Sequence, residues 1–75
     1  MDYRQAELTI FDQDGEQIAK FNCFKRRCRF VAREWAETYN SVNIKRGERR
    51  LAHRATYLDK EIIFNDILAA GVRSV

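Results

Sequence analysis

Residues 8–21 read LTIFDQDGEQIAKF, and their pattern sets the architecture of the N-terminal part of the chain. Two runs of β-branched, aromatic and other apolar residues, 8–11 and 18–21, flank the segment Asp-Gln-Asp-Gly-Glu. Gly15 accepts the positive φ that a tight turn requires, and an Asp-Gly pair between two such runs is a good hairpin signal. The sequence therefore predicts an antiparallel β-hairpin here.

The following segment predicts a helix over residues 23–40, with Asn22 as its N-cap. Its apolar side chains recur with helical spacing and fall within about one quarter of the helix circumference, as core-facing positions do. These side chains are Phe24, Cys28, Val31, Ala32, Trp35 and Tyr39. Phe30 falls on the opposite side of the predicted helix, among the basic residues.

The second half of the chain allows two interpretations. One is a single long helix over residues 48–70, which the Ala and Arg content favours. We prefer a second hairpin followed by a second helix, which Asp59 caps and Gly71 ends, because the apolar stripe of the long helix drifts around its axis. The preferred elements are a strand at 42–45, a turn at 46–48, a returning strand at 49–57 and a helix at 60–70.

The resulting order is β-hairpin–helix–β-hairpin–helix (ββαββα), an α+β fold with both helices on one face of an antiparallel sheet. A faint similarity between residues 15–20 and 47–53 agrees with two such units. At 75 residues the chain is near the lower size limit for independent folding, so we expect a single domain over residues 1–75. A small core of this kind also makes a homodimer an option.

The composition, 45% hydrophobic and 12% aromatic, indicates a globular protein rather than a disordered chain. No window approaches the roughly 20 apolar residues of a membrane span, and the N-terminus lacks the basic-then-apolar pattern of a signal peptide. We therefore expect a cytoplasmic protein with no membrane partner. In that compartment cysteines are expected as thiols.

Positive charge is concentrated in the middle of the chain. The net charge is only +3, yet residues 20–54 carry eleven Lys or Arg against three Glu, and both flanking segments are acidic. Such asymmetry indicates a partner with acidic groups. The residues expected to contact it are Lys25, Arg26, Arg29 and Arg33 on the first helix, and Lys45, Arg46, Arg49, Arg50 and Arg54 around the turn at Gly47.

The cluster at the predicted helix start has a physical cost. The helix macrodipole places partial positive charge at that end, so each cation there is unfavourable by roughly 0.3–1 kcal/mol. Backbone N–H groups at a helix start bind anions, and arginine side chains strengthen such a site for phosphate. The second cluster, on a hairpin, would form a basic ribbon able to follow a phosphate backbone.

Two functions fit these features. The first is a small non-enzymatic protein that binds the phosphate backbone of nucleic acid through both clusters. The second is an inhibitor or adaptor, of the phage and plasmid accessory type, that docks on an acidic protein surface of a nucleic-acid-handling host or defence complex. Phe30 and a few arginines would then be the hot spots. A structural homodimer with an incidental basic face is a third option.

No familiar enzyme motif is visible, neither a glycine-rich phosphate loop nor a Ser-His-Asp set, so we expect no catalysis and no cofactor. Cys23, Cys28 and His53 are too few for a structural zinc site, and no metal is expected. A disulfide is disfavoured as well, since two residues five apart on one helix point about 140° apart. Cys28 is interpreted as a core residue and Cys23 as an ordinary thiol.

Overall fold

The structure, a computed structural model, describes residues 4–64. In chain order its elements are β1 (Gln5–Asp12), β2 (Gln17–Phe24), a 3₁₀ helix (Lys25–Arg27), α1 (Cys28–Lys45), β3 (Ala52–Tyr57) and β4 (Lys60–Ile63). The four strands form one antiparallel sheet in the order β2-β1-β3-β4. The predicted α+β class is therefore confirmed, with α1 packed on one face of the sheet.

The N-terminal hairpin is confirmed. Leu8 lies opposite Phe21 and the strands continue beyond the predicted runs at both ends. Gly15 has a φ of +82° in the turn. The Asp12 carboxylate organises this turn, because it accepts hydrogen bonds of 2.9 Å from the backbone N–H groups of both Asp14 and Glu16.

The first helix begins and ends later than predicted. Asn22 and Cys23 belong to β2, so Asn22 is not an N-cap, and α1 runs over Cys28–Lys45. Cys23 lies opposite Ala6 in the sheet, and strand pairing continues to the end of β2. Residues 22–24 fit a strand as well as a helix. Their pairing with residues 5–7 of β1 makes them a strand.

The predicted strand at 42–45 is wrong, because these residues form the last turn of α1. Gly47 has a φ of +75° and ends the helix. Its N–H donates to the carbonyl of Ile44 at 3.0 Å, and the N–H of Glu48 donates to the carbonyl of Asn43 at 2.8 Å. This pair of bonds is a Schellman motif. Gly47 thus supplies the expected turn, but the turn closes a helix instead of a hairpin.

The second hairpin is built from β3 and β4. The predicted strand at 49–57 is confirmed over Ala52–Tyr57, and the alternative long helix is wrong. The predicted helix at 60–70 is wrong over Lys60–Ile63, which form β4, and Asp59 lies in the turn before it. The remainder of that prediction, from residue 65, and Gly71 lie outside the described residues. The second helix of the ββαββα arrangement is therefore not confirmed.

The core lies between α1 and one face of the sheet. Leu8 on β1 faces the same side as its partner Tyr57 on β3, and alternation along each strand extends this apolar face. The buried residues of the core are Ala6, Leu8, Ile10, Cys28, Ala32, Ala36, Ala52, Ala55, Tyr57 and Ile62. Trp35 and Tyr39 stack at 4.7 Å and pack against this core as predicted, whereas Phe24 is exposed at the end of β2.

Candidate functional site

The 3₁₀ helix and the start of α1 carry a dense group of cations, all of them exposed except the half-buried Lys25. Cys28 and Ala32 are fully buried, and this leaves Arg29 and Arg33, also four residues apart, side by side on the outer surface. No acidic residue lies in the first turn of the 3₁₀ helix or of α1. We name this surface the helix-start patch; its members are Lys25, Arg26, Arg27, Arg29, Phe30 and Arg33.

Phe30 is the aromatic member of the helix-start patch. Its side chain is 59% exposed, on the polar side of the helix as the sequence predicted. The guanidinium carbon of Arg27 lies 5.5 Å from the centre of the ring, within the range of a cation–π contact. An apolar ring that is held among cations and left open to solvent can contact a partner without rearrangement of the core.

Arg29 and Arg33 carry unneutralised charge on the α1 side of the helix-start patch, as Arg27 does on the 3₁₀ helix. Among residues 4–64 none of the three has an ion-pair partner, although Glu37 lies one turn beyond Arg33. Arg27, at the N-cap position of α1, makes no side-chain capping hydrogen bond. No negative charge therefore offsets the partial positive charge of the helix macrodipole, and this charge adds to the positive potential of the patch.

Three further predicted residues, Lys45, Arg46 and Arg49, lie at the other end of α1, and we name them the helix-end patch. All three are exposed. Sixteen residues separate Lys45 from Arg29, which is about 24 Å along a helix axis. Glu34 and Glu37 are exposed on α1 between the two patches. The two predicted clusters therefore do not form one continuous basic surface.

Arg50 is exposed, but two acidic side chains bind its guanidinium. Its Nε donates to Oδ2 of Asp12 at 2.8 Å, and its Nη2 lies 2.9 Å from Oε2 of Glu16. Asp12 itself is 2% exposed. Burial raises the pKa of Asp12, but hydrogen bonds from the backbone of Glu16, from Arg50 and from the backbone of Asp14 together hold this pKa below its ordinary value.

Arg54 lies on the face of the sheet that points away from α1. Its strand partner is Phe11, whose neighbour Ile10 is buried on the α1 side. The Arg54 guanidinium lies 4.6 Å from the centre of the Phe11 ring, and its Nη1 is 3.3 Å from Oε2 of Glu61. Arg54 is thus paired and is separated from both patches by the sheet.

Two asparagines on the buried side of α1 have a role that the sequence did not reveal. The side chain of Asn40 accepts from the N–H of Ala52 at 2.6 Å and donates to its carbonyl at 3.2 Å. Asn43 donates to the carbonyl of Arg50. These amides hold the segment between α1 and β3. In the sequence, this role is indicated only by the position of the two asparagines, which continue the buried stripe of α1.

The two cysteines meet where β2 passes into α1. Their Sγ atoms are 2.7 Å apart, and both residues are free thiols. The prediction that the side chains diverge is wrong, because Cys23 lies on a strand and not on the helix. Burial, and then the adjacent Cys23 thiol, raise the pKa of Cys28 to about 12.

Within residues 4–64 no group of three or more His, Cys, Asp or Glu side chains is arranged to hold a metal ion. The same part of the chain contains no helix with the length and apolar character needed to cross a membrane. The sequence matches no protein-family model and has no significant match among curated proteins or solved structures. The arrangement of the patches is therefore the basis for any functional conclusion.

Proposed function

We propose that this protein is a small non-enzymatic binding protein that engages the phosphate backbone of nucleic acid through the helix-start patch. One observation carries the proposal. Four arginines lie close in sequence to an exposed phenylalanine, two on the 3₁₀ helix and two in the first turns of α1, and neither element has an acid in its first turn. Three of them, Arg27, Arg29 and Arg33, lack an ion-pair partner among the described residues.

The charge of the helix-start patch is unfavourable for the isolated protein. Cations at the positive end of a helix cost roughly 0.3–1 kcal/mol each, and mutual repulsion adds to this cost. A bound phosphate reverses the sign of the interaction, because it is attracted by the arginines and by the helix dipole together. The predominance of arginine over lysine also favours two-pronged hydrogen bonding to phosphate oxygens.

Phe30 supports nucleic acid over a simple anion. A base that is free to leave its stack can lie against an exposed aromatic ring, a contact worth about 1–3 kcal/mol per base. The arginines beside Phe30 would hold the flanking phosphates, and this arrangement favours single-stranded nucleic acid over a duplex. The residues of the helix-end patch would contribute weaker contacts with the nucleic acid than those of the helix-start patch. Arg50 and Arg54 would contribute none, since acidic neighbours already engage them.

The test is a salt titration of binding to single-stranded and duplex oligonucleotides, followed by fluorescence anisotropy. Contacts from four arginines predict a log–log slope of about 3 for a single strand. The double variant Arg29→Ala/Arg33→Ala should lose about tenfold in affinity and about 1.5 units of slope. The matched control, Lys45→Ala/Arg46→Ala, removes the same charge at the other end of α1 and should change both quantities less. A flat salt dependence, or equal losses in the two variants, would contradict the proposal.

The exposure of Phe30 also favours a second candidate, an inhibitor or adaptor that docks on an acidic protein surface. Aromatic and arginine side chains dominate the binding energy of protein interfaces, and Arg27 and Phe30 are in direct contact. Affinity capture from the source cell, with and without nuclease, separates the two candidates. A stoichiometric protein that survives nuclease and is lost with Phe30→Ala favours the second; loss of all partners with nuclease favours the first.

A further inference from the structure

The close approach of Cys23 and Cys28 follows from how the chain reverses between β2 and α1. Cys23 lies opposite Ala6, on the sheet face that packs against the helix, and Cys28 is the first residue of α1. The 3₁₀ helix between them turns the chain so that both side chains enter the same part of the core. Their sulfur atoms are 2.7 Å apart and need approach by less than about 1 Å to reach the bonding distance of a disulfide.

We propose that Cys23 and Cys28 form an oxidation site at which a small-molecule disulfide, such as oxidised glutathione, converts the two thiols to an intramolecular disulfide. The proposal does not depend on nucleic-acid binding. Two thiols and one molecule of oxidised glutathione become one protein disulfide and two molecules of reduced glutathione. The protein loses two electrons and two protons, and the glutathione pair gains them.

The exposure of the two sulfurs sets the order of the steps. Cys23 is half-buried and can meet a reagent, whereas Cys28 is fully buried. The Cys23 thiolate attacks one sulfur of oxidised glutathione, the reagent's S–S bond breaks, and one reduced glutathione leaves with the proton that Cys23 gave up. A mixed disulfide remains on Cys23.

Cys28 then completes the exchange. Its sulfur attacks the Sγ of Cys23, the mixed disulfide breaks, and the second glutathione leaves as a thiol with the proton from Cys28. Burial and a pKa of about 12 make Cys28 a poor first nucleophile. In the second step its contact with Cys23 offsets this low reactivity, because the two reacting sulfur atoms are already adjacent. The product is a ring closed around residues 24–27, three of which belong to the helix-start patch.

The experiment equilibrates the full-length protein in glutathione redox buffers, traps free thiols with an alkylating agent and measures intact mass. The expected product is lighter than the dithiol by two hydrogen atoms, carries no glutathione and remains a monomer on a non-reducing gel. The folded protein should reach half oxidation at a ratio of oxidised to reduced glutathione at least about tenfold lower than the chain in guanidinium chloride, because the fold raises the effective concentration of the two thiols. Equal ratios, a retained glutathione adduct or a disulfide-linked dimer would overturn the proposal.

Two variants test the order of attack. Cys28→Ala should accumulate the mixed disulfide at Cys23, because no second thiol is present to displace glutathione. Cys23→Ser should remain unmodified, because its remaining thiol is buried. A Cys23→Ser protein that reacts as fast as Cys28→Ala would contradict the order. If either variant fails to give a native circular dichroism spectrum, the comparison of the folded and denatured parent protein still decides the proposal.

Discussion

The guanidinium of Arg50 donates a 2.8 Å hydrogen bond to the buried carboxylate of Asp12, across 38 residues of sequence. The contact joins the segment after α1 to the turn of the first hairpin. Arg50, which the charge pattern assigned to a binding surface, therefore holds two parts of the fold together. Its neighbour Arg49 is also exposed but has no ion-pair partner among the described residues.

This contact predicts different effects for two adjacent arginines. Arg50→Ala should lower the midpoint of thermal unfolding measurably, because it leaves the Asp12 carboxylate buried without its guanidinium partner. Arg49→Ala removes the same charge from an exposed side chain and should leave the midpoint nearly unchanged. Equal midpoints for the two variants would show that the Asp12 contact does not stabilise the protein.

Asp12 also predicts how stability depends on pH. Its pKa is lower in the folded protein than the ordinary value of 3.8, so the unfolded chain binds the proton more readily. The stabilisation is therefore present in full well above pH 3.8 and is lost as pH falls through the lower, folded pKa. Urea unfolding at pH 7 and about pH 3 should show a smaller acid-induced loss in Asp12→Asn than in the parent protein. Identical losses would argue against this role for Asp12.

Asn40 makes a third prediction about stability. Its amide satisfies both the N–H and the carbonyl of Ala52 in a buried position. Asn40→Ala removes both partners and should reduce the free energy of unfolding by about 2 kcal/mol. Ser41→Ala, one residue further along at an exposed position, should change it by less than about 0.5 kcal/mol. Chemical denaturation of the two variants measures the difference, and a cost below that of the control would contradict the structure.

Gly47 provides a fourth prediction. Alanine at a φ of +75° is strained by about 1–2 kcal/mol, although no atom within 4 Å would obstruct the added methyl group. Gly47→Ala should therefore destabilise the protein by about that amount. Gly47→Asn should cost less, because asparagine tolerates left-handed backbone. If the alanine variant were as stable as the asparagine variant, backbone strain would not be the reason for glycine here.

Local sequence signals predicted the first hairpin and the turn at Gly47, because both depend on a glycine that accepts positive φ and on nearby residues. The start of α1 was predicted five residues too early, since residues 23–27 suit a strand or a helix equally in isolation. The run at 60–63 was ambiguous for the same reason. In both places pairing with another strand made the choice: residues 22–24 pair with β1, and residues 60–63 pair with β3. The pattern within each short run contains no information about such a partner.

The concentration of cations between residues 20 and 54, and the position of Phe30 on the polar side of the first helix, follow from the order of residues alone. The tertiary structure then set which cations remain available to a partner. It separated Arg29 from Lys45 by the length of α1, paired Arg50 with acids of the first hairpin and paired Arg54 with Glu61 on β4. It also brought Cys23 against Cys28 by reversing the chain between a strand and a helix. Charge and spacing are properties of the chain, whereas pairing and proximity depend on which residues the fold brings into contact.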